Sequence, residues 1–350
     1  MIIEQINDNI PAFAECIETG NPYKPLLVKM KLVWNCNLRC QMCNHWRKKS
    51  LPLGYEFFLN VIDELAELGC KRIHLTGGEP LLYSKINKVL KRIKKNGIKA
   101  SMTTNGTLIT EEKAELLVKS GLKKVNISID SPNEKIHEKI RGVKGCFQKT
   151  VDGFTVLRKL MPQRSLYINV VVSPENYKSL AALPKFAKEI KASSFNLMPM
   201  IIHTPDIHSF NKEQIIEYNI EIAPKILNEA IELGFPLTEK DVFIFGNNNE
   251  CLTESTFGRY STDYYSNHKC YALWTHSLID HLGRVSTCCQ MTNLPIIGNL
   301  QENTFKKIWQ NDIYRQFRQS ESLPINDICK RCSMFKQKNQ IINNLLYVKK

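Results

Sequence analysis

The chain predicts an α/β fold: an open, partial (β/α)6 TIM-like barrel followed by a small cysteine-rich C-terminal extension. Three observations predict it. Six apolar runs of strand length alternate with helical periodicity between residues 26 and 235. Helix-stopping glycines punctuate the alternation at Gly69, Gly97 and Gly121. Beyond residue 270 the rhythm ends and Cys270, Cys288, Cys329 and Cys332 take over. Such strand–helix repeats imply parallel strands with right-handed crossovers, and six repeats rather than eight leave a barrel open.

Residues 1–25, with Pro11, Pro22 and Pro25, form a lead too short for a domain. A first strand at 26–34 runs into Cys36-Asn-Leu-Arg-Cys40-Gln-Met-Cys43 and the basic Arg47-Lys48-Lys49. A helix at 55–68 follows, then a strand at 72–76 ending in Gly77-Gly78-Glu79-Pro80. A helix at 86–95 leads to a strand at 98–104 that ends in Asn105-Gly106. A helix at 111–120 leads to a strand at 124–129 that ends in Asp130-Ser131-Pro132. Helical stretches at 134–140 and 147–161, a strand at 166–172, a helix at 179–191 and a strand at 194–200 complete the barrel. The loop after it carries His203, Asp206 and His208, candidate proton-transfer groups by position. A long helix is expected at 211–233. Residues 241–269 lack periodicity, and an irregular stretch of that length is expected to cover the substrate opening. A hairpin around Gly283 and a helix at 305–317, with Ile308 and Trp309 inward, fill the extension. The expected division is a lead (1–25), a barrel (26–235), a bridge (236–269) and a cysteine-rich domain (270–350).

Composition narrows the class. With 43% hydrophobic and 23% charged residues the chain is an ordinary globular protein. No apolar run reaches membrane-span length and the start lacks a signal-peptide pattern, so neither a membrane nor a secreted setting is expected. In a cytoplasmic enzyme, twelve cysteines read as metal ligands rather than disulfides. The net charge of +14 admits an acidic partner, but the lysines are spread along helices, as on a solvated surface.

Cys36, Cys40 and Cys43 can bring three thiolates from one loop onto a single metal centre. Four cysteines complete a [4Fe–4S] cube, so a local set of three leaves one iron open for chemistry. Zinc and buried thiols are the competing readings, although zinc favours paired C-x2-C knuckles with a fourth ligand. The spacing C-x3-C-x2-C resembles the signature of the radical SAM enzymes, with Met42 where that family usually has an aromatic residue. Their core is a partial (β/α)6 barrel, in agreement with the strand count.

The resemblance implies a SAM-binding [4Fe–4S] cluster on the three cysteines, with S-adenosylmethionine (SAM) chelating the open iron. It implies reductive cleavage of SAM to a 5′-deoxyadenosyl radical that abstracts a substrate hydrogen atom. Gly77, Gly78 and Glu79 resemble the GGEP segment that binds the SAM amino group; paired glycines permit close backbone approach and a carboxylate accepts from an ammonium. Ser128 and Asp130 stand where relatives contact the ribose, though Asp130 equally suits a turn cap. Thr104 and Asn105 resemble a cofactor-side segment or form a tight turn. Arg141 resembles an arginine that holds the SAM carboxylate, a surface arginine being the alternative. Asn176 resembles a further cofactor-side residue.

Cys270, the C-x12-G-x4-C run to Cys288, and Cys329-x2-Cys332 resemble the SPASM/twitch extension. That implies one auxiliary [4Fe–4S] cluster on Cys270, Cys288, Cys329 and Cys332, with zinc as the competing occupant. Cys251 and Cys289 are substitute ligands, while Cys16, Cys70 and Cys146 read as buried thiols. Similar enzymes oxidise or crosslink ribosomally made peptides; others oxidise small molecules such as aminosugar alcohols, and RNA base modification is a third option. A flavodoxin- or ferredoxin-like electron donor and a separate leader-peptide adaptor are the implied partners. A zinc-stapled nucleic-acid-binding protein is the non-enzyme alternative.

Overall fold

The computed structural model describes residues 2–47, 51–162, 165–201, 209–262, 264–288, 296–319, 327–333 and 335–347. Its strands are β1 (Leu27–Val33), β2 (Arg72–Gly77), β3 (Lys99–Thr104), β4 (Leu122–Ser128), β5 (Leu166–Val172), β6 (Ser194–Pro199), β7 (His276–Ile279), β8 (Arg284–Ser286) and β9 (Gly298–Asn299). The fold is α/β with a parallel sheet of the open-barrel type, as expected. Contacts divide the chain into two compact units, and β3 passes from one into the other.

The first unit comprises residues 1–34, 50–101 and 263–350. Its strands run in the order β3, β2, β1, β7, β8, β9. β1 is parallel to β2, with Leu27 opposite Arg72, and also parallel to β7, with Leu27 opposite His276. β8 and β9 then add antiparallel. The expected hairpin around Gly283 is therefore present as β7 and β8, and β7 lies directly beside the first strand. No local pattern foretells that pairing, because it joins residues about 250 apart in the chain.

The lead, to which sequence assigns no secondary structure, holds two helices, Ile2–Asn7 and Ile10–Thr19. Their Ile6, Phe13 and Ile17 are buried with Tyr271, Trp274 and Ile342, so the two chain ends share one apolar core. The expected helix at 305–317 is two, Phe305–Trp309 and Asp312–Gln319. They separate at Asn311, whose side chain accepts from the Tyr314 N–H at 2.8 Å and restarts the helix as a cap.

The second unit comprises residues 35–49 and 102–262, with strands in the order β6, β5, β4, β3. One face is apolar and buried, through Ile127, Ile168 and Phe195 in lateral register. The other aligns Ser128, Asn169 and Asn196, and Asn196 Nδ2 donates to Asn169 Oδ1 at 2.8 Å. Strands of a filled barrel carry branched apolar residues inward. Here the second face carries a polar row, Ser128, Asn169 and Asn196, beside Val171 and Met198.

Two expected helices are modified by prolines. The run at 211–233 is helical, but Tyr218–Ile222 is a π turn in which the Ala223 N–H reaches back to Tyr218 O. Pro224 follows and has no N–H for the carbonyl four residues earlier, which widens the turn. Likewise 179–191 begins as a 3-10 helix, Tyr177–Ala182, before Leu183–Glu189 takes over at Pro184. Residues 241–269, expected to be irregular, hold the short helices Glu239–Val242, Asn249–Thr256 and Tyr264–Asn267. Phe245 packs against Phe210, Tyr218 and Tyr260, and Tyr260 Oη donates to Met200 O at 2.6 Å. His203, Asp206 and His208 lie outside the described residues.

Candidate metal centres

The loop carrying Cys36, Cys40 and Cys43 is shaped by the end of the helix Glu134–Arg141. The last carbonyls of a helix lack intrahelical donors. The loop supplies them: Arg39 N–H donates to Arg141 O and Gln41 N–H to Ile140 O, both at 3.0 Å. Gly142 ends that helix at φ 68°, and a Cβ there would lie 2.6 Å from Arg39 O. Only glycine permits both the left-handed backbone and the close approach. Trp46 Nε1 closes the loop from within by donating to Cys40 O at 3.1 Å, and the Arg39 and Arg47 guanidiniums lie over its ring. Arg47, read as part of a basic patch, is exposed and also stacks on Trp46; Lys48 and Lys49 lie outside the described residues.

The three thiols form one apolar group with Leu38, Met42, Val143 and Cys146. Each sulfur faces an N–H donor. Cys36 accepts from Leu38 N at 3.4 Å and Asn105 Nδ2 at 3.9 Å, Cys40 from Arg141 Nη1 at 3.7 Å, and Cys43 from His45 N at 3.5 Å. Donors of this kind favour the thiolate form and, in clusters, tune the potential. Burial pushes the Cys40 thiol up while the Arg141 guanidinium pulls it down. A bound metal supplies the remaining charge that keeps such thiols deprotonated.

Behind Cys36 stands a closed polar network. Asn105 Nδ2 donates to Asn37 Oδ1, Asn37 Nδ2 to Thr107 Oγ1, and Thr107 Oγ1 to Asn105 Oδ1, at 2.8, 2.8 and 2.7 Å. Thr104 Oγ1 accepts from Gly106 N at 3.0 Å, the tight turn that is one of the two readings of that strand end. Asn37 and Thr107 carry no motif, so only the fold identifies them as supports.

Arg141 is not a surface arginine: it is 8% exposed. Its Nε lies 2.7 Å from Asp130 Oδ2, yet neither atom has an aligned hydrogen bond, so charge rather than direction holds the pair. Asp130, fully buried, also accepts from Val171 N at 3.0 Å through Oδ1. Its own N–H donates to His137 Nδ1 at 3.2 Å, and burial lowers that imidazole to about 3. Asn176 Nδ2 donates to Asp130 O and Val171 O, and its Oδ1 accepts from Ser173 N. Asp130 and Asn176 thus tie the ends of β4 and β5, and Arg141 links Asp130 to Cys40. Ser128 lies on the polar face, in register with Asn169.

In the first unit, β2 ends at Gly77 with φ 136°, where a Cβ would lie 2.2 Å from Val33 O. Gly78 N donates to that same carbonyl at 2.9 Å. Glu79 is 1% exposed, and its Oε1 accepts from Leu81 N at 3.0 Å, capping the short 3-10 helix Pro80–Leu82. The strand end is therefore a rigid backbone turn with a buried carboxylate.

The same unit gathers Cys270, Cys288, Cys329 and Cys332 into one group with Tyr265, Ala272 and Phe335. Tyr265 Oη donates to Cys332 Sγ at 3.7 Å. Asn339 Nδ2 donates to Cys270 Sγ at 3.5 Å and to Tyr265 Oη at 2.9 Å, while Asn339 Oδ1 accepts from Tyr271 N at 3.1 Å. Burial, with Cys332 nearby, pushes Cys270 up to about 12. Asn339 and Tyr265 are contacts of the cysteine group that motif reading missed. The signal was the spacing Phe335, Asn339, Ile342, which places an amide on the apolar face of the helix Lys336–Tyr347. Cys251 sits in the other unit, against Gly246; Cys289 lies outside the described residues. Cys16 and Cys70 bond backbone carbonyls, but Cys146, expected as a plain buried thiol, adjoins the first cysteine group.

Among the described residues, no three His, Cys, Asp or Glu side chains close around a point as ligands of a single metal ion. Each cysteine set shares one apolar cluster, and N–H or O–H donors face Cys36, Cys40 and Cys43 in the first and Cys270 and Cys332 in the second, an environment suited to thiolate sulfur.

Comparison with known proteins agrees. Residues 33–187 match the Radical SAM superfamily, and residues 270–333 match SPASM, an iron–sulfur cluster-binding domain. The AdoMet-dependent heme synthase of Methanosarcina barkeri is 27% identical, over 85% of this chain and 86% of that protein. The PqqA peptide cyclase of Gluconobacter oxydans is 23% identical, over 89% and 83%. The crystal structure of Streptococcus suis SuiB bound to S-adenosylmethionine shares the fold, with a TM-score of 0.69 and 19% identity over 91% of this chain and 75% of that one.

Proposed function

The chain belongs to the radical SAM superfamily and carries a C-terminal SPASM domain; from that premise we propose that it modifies a peptide, by oxidation or crosslinking. When bound, the SAM-ligated [4Fe–4S] cluster supplies a 5′-deoxyadenosyl radical that removes a hydrogen atom from the substrate. The protein's share is to hold and shield. Cys36, Cys40 and Cys43 would hold that cluster, and Cys270, Cys288, Cys329 and Cys332 one auxiliary [4Fe–4S] cluster. Gly77, Gly78 and Glu79 offer a close backbone edge and a carboxylate for the SAM ammonium. Ser128, with the Asn169 row, offers hydroxyl and amide groups for a ribose. Asp130 and Arg141 act through each other and through Cys40, as positioning residues, and Thr104 and Asn105 brace Cys36. Residues 26–235 form the core, 236–269 a bridging segment and 270–350 the auxiliary-cluster domain.

The similarity to the PqqA peptide cyclase across both domains supports the peptide reading. A second reading, a small-molecule substrate, is supported by the heme synthase, which matches over a comparable span. No described helix is long and apolar enough to cross a membrane. We place the enzyme in the cytoplasm with a flavodoxin- or ferredoxin-like electron donor and a separate leader-peptide adaptor. The test is anaerobic reconstitution with SAM and a strong reductant, offering short peptides encoded beside the gene. The expected result is substrate-dependent 5′-deoxyadenosine and a peptide lighter by two hydrogens. About eight irons are expected in the wild type and about four in a Cys36/Cys40/Cys43→Ala variant, which makes no 5′-deoxyadenosine. Unchanged peptides beside turnover of a small-molecule substrate would move the assignment to the second reading.

A further inference from the structure

The loop that holds Cys36, Cys40 and Cys43 carries positive charge at its surface. Arg39 and Arg47 are exposed, and their guanidiniums lie 5.3 and 4.5 Å from the centre of the Trp46 ring. Arg39 Nη1 also donates to Cys36 O at 3.1 Å and to Leu38 O at 3.0 Å. Both heads are thus held in place, so little side-chain freedom remains to be lost when an anionic surface meets them. Lys144, also exposed, follows Val143, which packs on the thiol group itself. Met42, Val143 and Trp46 are half-buried and offer apolar contact beside these cations. Cys36 and Cys43 are half-buried too, so the edge of the thiol group is not sealed.

The nearby carboxylates among the described residues are engaged elsewhere. The sequence has no Asp or Glu between Glu18 and Glu56. The loop meets the C-terminal end of the helix Glu134–Arg141, and Glu134 stands at the other end. Glu138 Oε1 accepts from Phe147 N at 3.3 Å, Glu175 pairs with Lys139, and Asp130 is buried against Arg141. The face presented to solvent by Arg39, Arg47 and Lys144 is therefore cationic.

Reductive cleavage of SAM consumes one electron, which must reach the thiol-bound cluster from outside the chain. We propose that Arg39, Arg47 and Lys144, with Met42, Val143 and Trp46, form the surface on which a small acidic electron-carrier protein docks. One electron passes from the carrier, which is oxidised, to the cluster, which is reduced, and no covalent bond forms or breaks. Apolar contact with a charged rim suits a transient redox encounter, which is small in area and steered by charge. The proposal rests on the proposed electron-donor partner and gives it a place. Substrate identity does not enter, so its failure leaves the peptide reading standing.

The test uses reconstituted protein and a small acidic ferredoxin, with no substrate present. Biolayer interferometry measures binding of the oxidised ferredoxin at rising salt. Electron transfer from the reduced ferredoxin is followed by freeze-quench EPR, using the signal that changes when SAM is added. Arg47→Glu and Lys144→Glu are each expected to lower affinity and second-order rate about tenfold at low salt, and less as salt rises. Lys91→Glu, exposed on the helix Ile86–Lys95, changes neither. Photoreduced 5-deazariboflavin, a small neutral donor, should reduce every variant at the wild-type rate. Unchanged ferredoxin binding and kinetics in both variants overturn the proposal, and so does an equal loss in Lys91→Glu, which marks net charge alone. An equal slowing with deazariboflavin also overturns it, since the residues would then be holding the cluster. A deca-glutamate peptide whose binding falls in Arg47→Glu while ferredoxin reduction holds would assign the face to an acidic peptide instead.

Discussion

Gly142→Ala separates two costs that usually arrive together. Gly142 and Gly97 have nearly the same backbone, φ 68° and φ 69°. A Cβ at Gly97 meets nothing within 4 Å, whereas one at Gly142 falls 2.6 Å from Arg39 O. Alanine at either position pays the left-handed penalty, about 1 kcal/mol. At Gly142 the cysteine loop must also withdraw by about 1 Å to reach an ordinary contact distance. That movement breaks the bonds from Arg39 N and Gln41 N to the helix end, each contributing about 1 kcal/mol. The expected loss is therefore about 3 kcal/mol for Gly142→Ala against about 1 kcal/mol for Gly97→Ala. Urea denaturation of both variants measures it, and iron analysis reads the consequence. Gly142→Ala should keep the auxiliary iron and bind the first cluster poorly, while Gly97→Ala keeps both. Equal destabilisation with equal iron content would refute the idea that this backbone contact shapes the loop.

Two further outcomes follow from buried partners. His137 is held neutral to about 3 against an ordinary 6.5, so the unfolded chain binds the extra proton first as pH falls. Stability should drop by roughly 2 kcal/mol between pH 7 and pH 5, and His137→Asn, which keeps an acceptor for the Asp130 N–H, should flatten that acid limb in denaturation curves. Asn339→Leu removes the donor on Cys270 while keeping the helix, and fewer hydrogen bonds to cluster sulfur favour the oxidised state. The auxiliary cluster should then titrate at a more negative potential by EPR, with the first cluster unchanged.

The barrel elements were legible because period and punctuation are local. Glycine stops and alternating apolar runs fixed most strand and helix boundaries to within a residue or two. The misses have local causes too: Pro224 and Pro184 altered helix geometry within helical stretches, and Asn311 split one helix by capping another. The three-cysteine loop and the later cysteines were also legible, since thiol spacing within a loop is itself the chemistry.

Sequence alone thus made the strand–helix order legible, carried the resemblance that implies the reaction class, and singled out the candidate thiols. It did so because those features depend on residues a few positions apart. Only the tertiary structure decided that β7 pairs with β1, that Arg141 binds Asp130 and Cys40, and that Asn339 reaches Cys270. Those contacts join residues from about ten to about 250 positions apart, and burial selects them only when the whole core closes.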